Sequence, residues 1–138
     1  MQRVQVAIIG AGPAGLTLAL LLHREGISCK ILEFRSRAYV ESRVRAGLLE
    51  QNTVELLKEL GAGERMLKEG LVHHGVNLSF DGERIRVPFD ELTGGRCITI
   101  YGQQEVLKDL IALSLKRSIP ITFEAEVTAI QGIDSDNP

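Results

Sequence analysis

The chain has 138 residues, 16 basic against 18 acidic for a net charge of -2, and 44% hydrophobic content, the balance of an ordinary globular domain. That balance excludes collagenous and disordered classes, and its interspersed charges create no field that would draw nucleic acid or an anionic membrane. Two cysteines, Cys29 and Cys97, stand far apart without metal-ligand spacing, which speaks against a disulfide framework or a zinc site and suits a reducing cytoplasm.

From Val4 to Leu22 no residue is charged, so the stretch could pass for a signal peptide or a membrane span. Pro13, with Gly10, Gly12 and Gly15 around it, breaks that run into two elements. Val4 to Ile9 has the β-branched character of a buried parallel strand. Ala14 to Arg24 reads as a helix, apolar nearly all round and therefore expected to be buried, with Pro13 in its first turn and Gly26 as its stop. Ser28 to Glu33 is a second strand.

The order is βαβ, and Gly10-Ala11-Gly12-Pro13-Ala14-Gly15 places a GxGxxG at the strand-to-helix turn. The first glycine permits the turn, the second lets a pyrophosphate approach the backbone, and the third lets helix pack on strand. Free N–H groups and the positive dipole end of the helix would bind the phosphates. Glu33, at the end of the second strand, is positioned to accept hydrogen bonds from an adenosine ribose. Together these residues predict a dinucleotide site.

Phe34 to Gly47 is locally basic, with Arg35, Arg37, Arg43 and Arg45 opposed only by Glu41. Such a stretch is either a solvated loop or, beside a dinucleotide, a bidentate clamp for phosphates. Leu48 to Leu60 follows as a helix with Leu49, Val54, Leu57 and Leu60 on one face, ended by Gly61, and a short helix is expected around Glu64 to Lys68.

From Gly75 the period becomes two. Val76, Leu78 and Phe80 alternate with polar residues, Asp81-Gly82 intervenes, and Ile85, Val87 and Phe89 alternate again, which predicts a hairpin pairing Leu78 with Ile85 and Val76 with Val87. Cys97 to Tyr101 reads as a strand, Gln103 to Lys116 as a helix with Leu107, Leu110, Ile111 and Ser114 on one side, and Ile121 to Ile130 as a last strand. Both cysteines fall in strand positions without a setting that would make a nucleophile. The fold class is α/β: a Rossmann-like βαβ unit on a parallel sheet with an inserted β-hairpin.

The segments VAIIGAGPAGLTLALLLHREGI, SRVRAGLLEQNTVELLKELG, EGLVHHGVNLSFDGERIRV and ITIYGQQEVLKDL resemble the amino-terminal, FAD-binding part of the flavoprotein aromatic hydroxylase family, the 4-hydroxybenzoate 3-monooxygenases in particular. The GxGxxG is common to many flavin and nicotinamide enzymes, whereas the RVRAG block and the YGQ before a helix are more specific. The similarity runs through the whole chain but spans only about the first third of such an enzyme. Residues 1–138 are thus expected to form the amino-terminal part of an FAD/NAD(P)-binding domain, a fragment without the substrate-binding and carboxy-terminal parts, inactive by itself.

The resemblance implies FAD as cofactor, with contacts from Gly10, Gly12, Ala14, Gly15 and Glu33, from the run Arg43, Val44, Arg45, Ala46, Gly47 and Leu48, and from Gln103. Ala14 departs from the serine frequent there, which keeps a backbone N–H contact and loses a hydroxyl. Arg35 and Tyr39 are candidates for the nicotinamide nucleotide and lean towards NADPH over NADH, although Phe34 replaces the arginine frequent just after the ribose acid. His73 matches a histidine that ends a relay carrying the substrate's phenolic proton to solvent, a role suited to an imidazole; a plain surface histidine beside His74 is the other reading.

The implied reaction uses NAD(P)H to reduce FAD, after which the flavin and oxygen hydroxylate a 4-hydroxybenzoate-like aromatic ortho to its hydroxyl. The implied partners are that small molecule and, in the complete enzyme, a second copy in a homodimer, with neither nucleic acid nor membrane. A nicotinamide dehydrogenase module and a non-catalytic nucleotide-binding fragment are the alternatives.

Overall fold

The computed structural model describes residues 3–135. In chain order the elements are β1 (Val6–Ile9), α1 (Pro13–Arg24), β2 (Cys29–Leu32), α2 (Arg37–Ser42), β3 (Leu48–Glu50), α3 (Gln51–Leu60), α4 (Glu64–Glu69) and β4 (Leu71–His73). They continue with β5 (Gly75–Phe80), β6 (Glu83–Pro88), α5 (Phe89–Thr93), β7 (Ile98–Ile100), α6 (Gln103–Lys116) and β8 (Ile121–Thr122). Two compact units result, one running to Arg43 and resuming at Leu110, the other from Val44 to Asp109, so the division falls within α6.

The first unit holds a parallel sheet of order β1-β2-β8, with Ile8 beside Ile31 and Ile31 beside Ile121. Its core contains Ile8, Leu16, Ala19, Leu20, Cys29 and Ile31, together with Leu110, Ile111 and Ser114 of α6. Burying Leu16, Leu20 and Ile31 alone contributes roughly 1.5–3 kcal/mol each. As expected, α1 is buried, through Leu16, Ala19 and Leu20, although its apolar Leu18 remains exposed.

The basic stretch after β2 is not simply loop. Ser36 caps α2 by accepting the Tyr39 N–H at 3.3 Å, and Arg37 pairs with Glu41 one turn on at 2.7 Å. The last strand is also shorter than its periodicity suggested. Only Ile121 and Thr122 pair with β2; Glu124 then turns to φ 57, and Glu124 and Ala125 donate their N–H groups to the carbonyls of Arg35 and Glu33.

The second unit carries an antiparallel sheet of order β3-β7-β4 and the separate two-stranded hairpin β5-β6. Leu48 and Leu49 were expected in a helix. They pair instead with Ile100 and Thr99, and the helix begins at Gln51 with Val54, Leu57 and Leu60 as its buried face. Gly61, at φ 82, ends it.

The hairpin register is as expected, Val76 opposite Val87 and Leu78 opposite Ile85, around Asp81 and Gly82, both at positive φ. Its apolar side chains are not buried, however: Leu78 is 55%, Ile85 57% and Phe80 82% exposed. Phe89 leaves the alternation to begin α5, its N–H bound to the His74 carbonyl. Cys97 precedes β7 rather than lying in it, and is half-buried. Among the described residues no helix is long and apolar enough to cross a membrane.

Candidate functional site

The turn between β1 and α1 gives its three glycines different reasons to be glycine. Gly10 sits at φ +105, which favours glycine, and donates its N–H to Leu32 at 2.8 Å. At Gly15 a Cβ would run into the Gly10 carbonyl oxygen and crowd the Ile8 side chain, so the fold itself requires the close approach of α1 to the turn. Gly12 is unlike both: its φ is -77 and a Cβ there would meet nothing within 4 Å. The chain has room for a side chain at Gly12, so the open space over the turn is a cradle that a Cβ would fill.

Gly12 is also the N-cap of α1, and no side chain caps it. The first-turn N–H groups therefore face that space with the positive end of a 12-residue helix behind them, the arrangement that binds phosphate. Ala14, exposed in this turn, retains its N–H.

Glu33 stands just beyond β2, and its carboxylate braces the turn. One oxygen accepts the Ala11 N–H at 2.7 Å and the other the Arg35 N–H at 2.8 Å. Each oxygen keeps a further lone pair for a hydroxyl donor. Glu33 borders a cleft of about 330 Å³ lined also by Gly10, Leu32, Phe34 and Glu126.

Arg35 and Tyr39 are brought together. The Arg35 guanidinium lies over the Phe34 ring at 4.6 Å and the Tyr39 ring at 5.2 Å, and Arg43 approaches Tyr39 from 5.6 Å. Their cleft of about 380 Å³ also holds Glu124 and Glu126, acids that oppose an anionic ligand.

In the second unit, the residues around Gly47 and Gly102 form a double turn. Tyr101 donates its N–H to the Gly47 carbonyl at 2.8 Å and Gln103 donates to Ala46 at 3.2 Å, while Leu48 pairs with Ile100. A Cβ at Gly47 would stand 3.0 Å from the Gly102 Cα, so the two backbones touch. Val44, Arg45, Ala46 and Leu48 are exposed, and Arg45 has no hydrogen-bond or ion-pair partner among the described residues. Gln104 Oε1, beside Gly102, is buried without a partner.

The sequence reading missed what lies behind this turn. The buried Tyr101 hydroxyl donates to Asp109 Oδ2 at 2.8 Å, and Asp109 Oδ1 accepts from Arg65 at 2.7 Å. Arg65 also binds Glu105 at 2.7 Å and Glu69 at 3.2 Å. Burial, then the Asp109 carboxylate, pushes the Tyr101 phenol well above its ordinary value. Arg65, then Lys108, holds the Glu105 carboxyl below the usual range.

His73 ends β4 opposite Ile98 and is exposed. Its neighbour His74 is the histidine with partners: Nδ1 lies 3.0 Å from Asp90 Oδ2 and 3.3 Å from Cys97 Sγ. That cluster joins His74 between β4 and β5, Asp90 of α5 and Cys97 just before β7, positions far apart in sequence, which is why spacing did not reveal it.

A family profile described as an FAD binding domain matches residues 3–137. The chain belongs to that FAD-binding family. It is 48% identical to the p-hydroxybenzoate hydroxylase of Acinetobacter baylyi, over 79% of this chain and 27% of that protein. To the 3-amino-4-hydroxybenzoate 2-monooxygenase of Streptomyces cremeus it is 34% identical, over 72% of this chain and 24% of that one. The chain thus spans about a quarter of the length of these curated relatives.

Among solved structures, PqsL of Pseudomonas aeruginosa, a probable FAD-dependent monooxygenase, superposes with a TM-score of 0.81 over 94% of this chain and 35% of that chain, at 22% identity. The 2-methyl-3-hydroxypyridine-5-carboxylic acid oxygenase superposes with a TM-score of 0.78, over 92% of this chain and 33% of that chain, at 21% identity. These likenesses show the fold shared with flavin monooxygenases. The glycine turn and the open space above Gly12 fit the FAD of the family.

Proposed function

We propose that this FAD-binding chain serves a flavin-dependent aromatic monooxygenase whose substrate is a phenol of the 4-hydroxybenzoate kind and whose reductant is NADPH. The observation that carries the dinucleotide reading is Gly12, a glycine the fold does not need, over open space at an uncapped helix start. The substrate class rests on the 48% identity to a p-hydroxybenzoate hydroxylase.

Bound FAD would supply the redox chemistry, accepting hydride from the reduced nicotinamide and activating oxygen for the ring. The chain's own contribution is binding and orientation. N–H groups of the Gly10–Gly15 turn donate to the pyrophosphate, and the Glu33 carboxylate accepts a ribose hydroxyl with its remaining lone pairs. Arg45 supplies a free guanidinium to a phosphate oxygen, while Ala46, Gly47, Leu48 and Gln103 offer backbone and amide groups to the flavin. Arg35 and Tyr39 receive the nicotinamide nucleotide, and the preference for NADPH over NADH sets the Arg35 charge against Glu124 and Glu126. His73 passes the phenolic proton to solvent from its exposed place at the end of β4.

FAD titration followed by flavin fluorescence tests the first part. Arg45→Ala is expected to weaken FAD binding by about 1 to 3 kcal/mol, the range for a charge-assisted hydrogen bond; an unaltered dissociation constant would return Arg45 to a solvated loop. For the second part, the 138 residues are incubated with FAD, NADPH, oxygen and 4-hydroxybenzoate. FAD binding without formation of the 3,4-dihydroxy product is expected, and turnover at the rate of an intact hydroxylase would place the aromatic site within these residues.

A further inference from the structure

The double turn formed by Ala46–Gly47 and Tyr101–Gln103 hangs on one side chain. Tyr101 faces two ways: its backbone N–H holds the Gly47 carbonyl, and its ring, 5% exposed, runs inward to place its hydroxyl on Asp109. Asp109 in turn has both oxygens engaged, one by Tyr101 and one by Arg65. Gly47 and Gly102 are in contact, so a shift of Tyr101 cannot be absorbed locally and must move Ala46, Gly47 and Gln103.

We propose that Asp109 is a positioning residue which, by accepting the Tyr101 hydroxyl, holds this double turn in the geometry that receives the flavin. The inference rests on reading Ala46–Leu48 and Gln103 as flavin contacts. It separates two uses of one carboxylate. The Arg65 side of Asp109 ties α4 to α6 and stabilises the unit, while the Tyr101 side sets the ligand-facing turn.

Four variants of the full chain separate these uses: Tyr101→Phe, Asp109→Leu, Asp109→Asn and Arg45→Ala, with Lys68→Ala, an exposed ion pair of α4, as control. Each is measured for FAD dissociation constant, for the visible circular dichroism of bound flavin, and for melting temperature. Asparagine keeps an acceptor for Tyr101 and loses the charge facing Arg65; leucine loses both. Tyr101→Phe and Asp109→Leu are expected to weaken FAD about tenfold, the scale of one net hydrogen bond, and to change the flavin dichroism. Asp109→Asn is expected to lose melting temperature yet bind FAD like the control.

FAD affinity that falls equally in Asp109→Asn and Asp109→Leu would track the ion pair and overturn the proposal. Wild-type affinity in Tyr101→Phe and Asp109→Leu, with Arg45→Ala weakened, would overturn it while the flavin reading stands. Unaltered affinity in all four variants would remove that reading and the proposal with it. Should Tyr101→Phe fail to fold, the asparagine and leucine pair decides alone.

Discussion

The turn at Gly10–Gly15 and the double turn at Gly47 and Gly102 both bring backbone against backbone, but they are built differently. The first comes from six contiguous residues closing a strand onto a helix. The second joins residues more than fifty positions apart through a sheet, β3 against β7, and is buttressed by a tyrosine and a carboxylate from α6. The contiguous turn carries its own instructions, since one glycine is needed for φ, one for packing and one for neither. The assembled turn has meaning only once the sheet has formed.

The largest effect is expected at Gly15. Gly15→Ala drives a Cβ into the Gly10 carbonyl, a backbone atom that cannot rotate away. A loss of about 3 kcal/mol, at the upper end for overpacking, should appear in urea denaturation monitored by circular dichroism. A near-neutral result would mean that α1 does not pack on the turn as described.

Gly12→Val is expected to spare the fold and remove the ligand. Its Cβ enters open space, so stability should change by about 1 kcal/mol or less, the cost of placing a β-branched residue at an N-cap. FAD binding should nevertheless be lost. Unfolding of Gly12→Val, or unchanged FAD content, would erase the distinction between a glycine the fold needs and one the ligand needs.

These positions also show what the sequence made legible. Elements built from neighbours were readable: the GxGxxG turn, the hairpin register with Leu78 opposite Ile85, and α6, whose bounds match at both ends. Elements defined by distant partners were not. Leu48 and Leu49 fit a helical period, and only pairing with Ile100 and Thr99 makes them a strand. β8 stops after Thr122 because the backbone of Glu124 and Ala125 bonds to Arg35 and Glu33, partners that periodicity does not see. In the candidate site, the place of Glu33 just after β2 was readable, whereas Tyr101 after β7, Asp109 of α6 and Arg65 of α4 come together only once the chain has folded.

The charged side of the assembled turn predicts a pH dependence. Arg65 holds the Glu105 carboxyl below its ordinary value, so the folded state binds that proton less readily than the unfolded chain. The contribution is complete above the unfolded glutamate value and is lost as pH falls through the lower folded one. Arg65→Gln should cost about 1 kcal/mol at neutral pH, a figure discounted for the 43% exposure of the arginine side chain. That gap should close only once pH has fallen past the ordinary glutamate value of ~4 and through the lower folded one, where the partner carboxylate is protonated in both states. Denaturant midpoints of both proteins between pH 7 and 3 check it, and a gap that widens in acid would reverse the assignment.

The smallest effect is expected on the hairpin, where the expected strand register and the observed burial part company. Cross-strand pairing sets Leu78 opposite Ile85 on one face, yet both are more than half exposed, so their pairing covers only part of the apolar surface that a buried strand would hide. Leu78→Ser removes a side chain that already meets water, so the change in stability should stay within about 0.5 kcal/mol. Its other consequence should be less self-association, because an exposed apolar ribbon with unpaired edges invites pairing between copies. Urea midpoints and sedimentation at increasing protein concentration measure the two effects separately. A loss of about 2 kcal/mol or more, the cost of emptying a packed leucine site, would mean that this face is covered in solution, and the hairpin would then belong with the turns as a packed part of the unit.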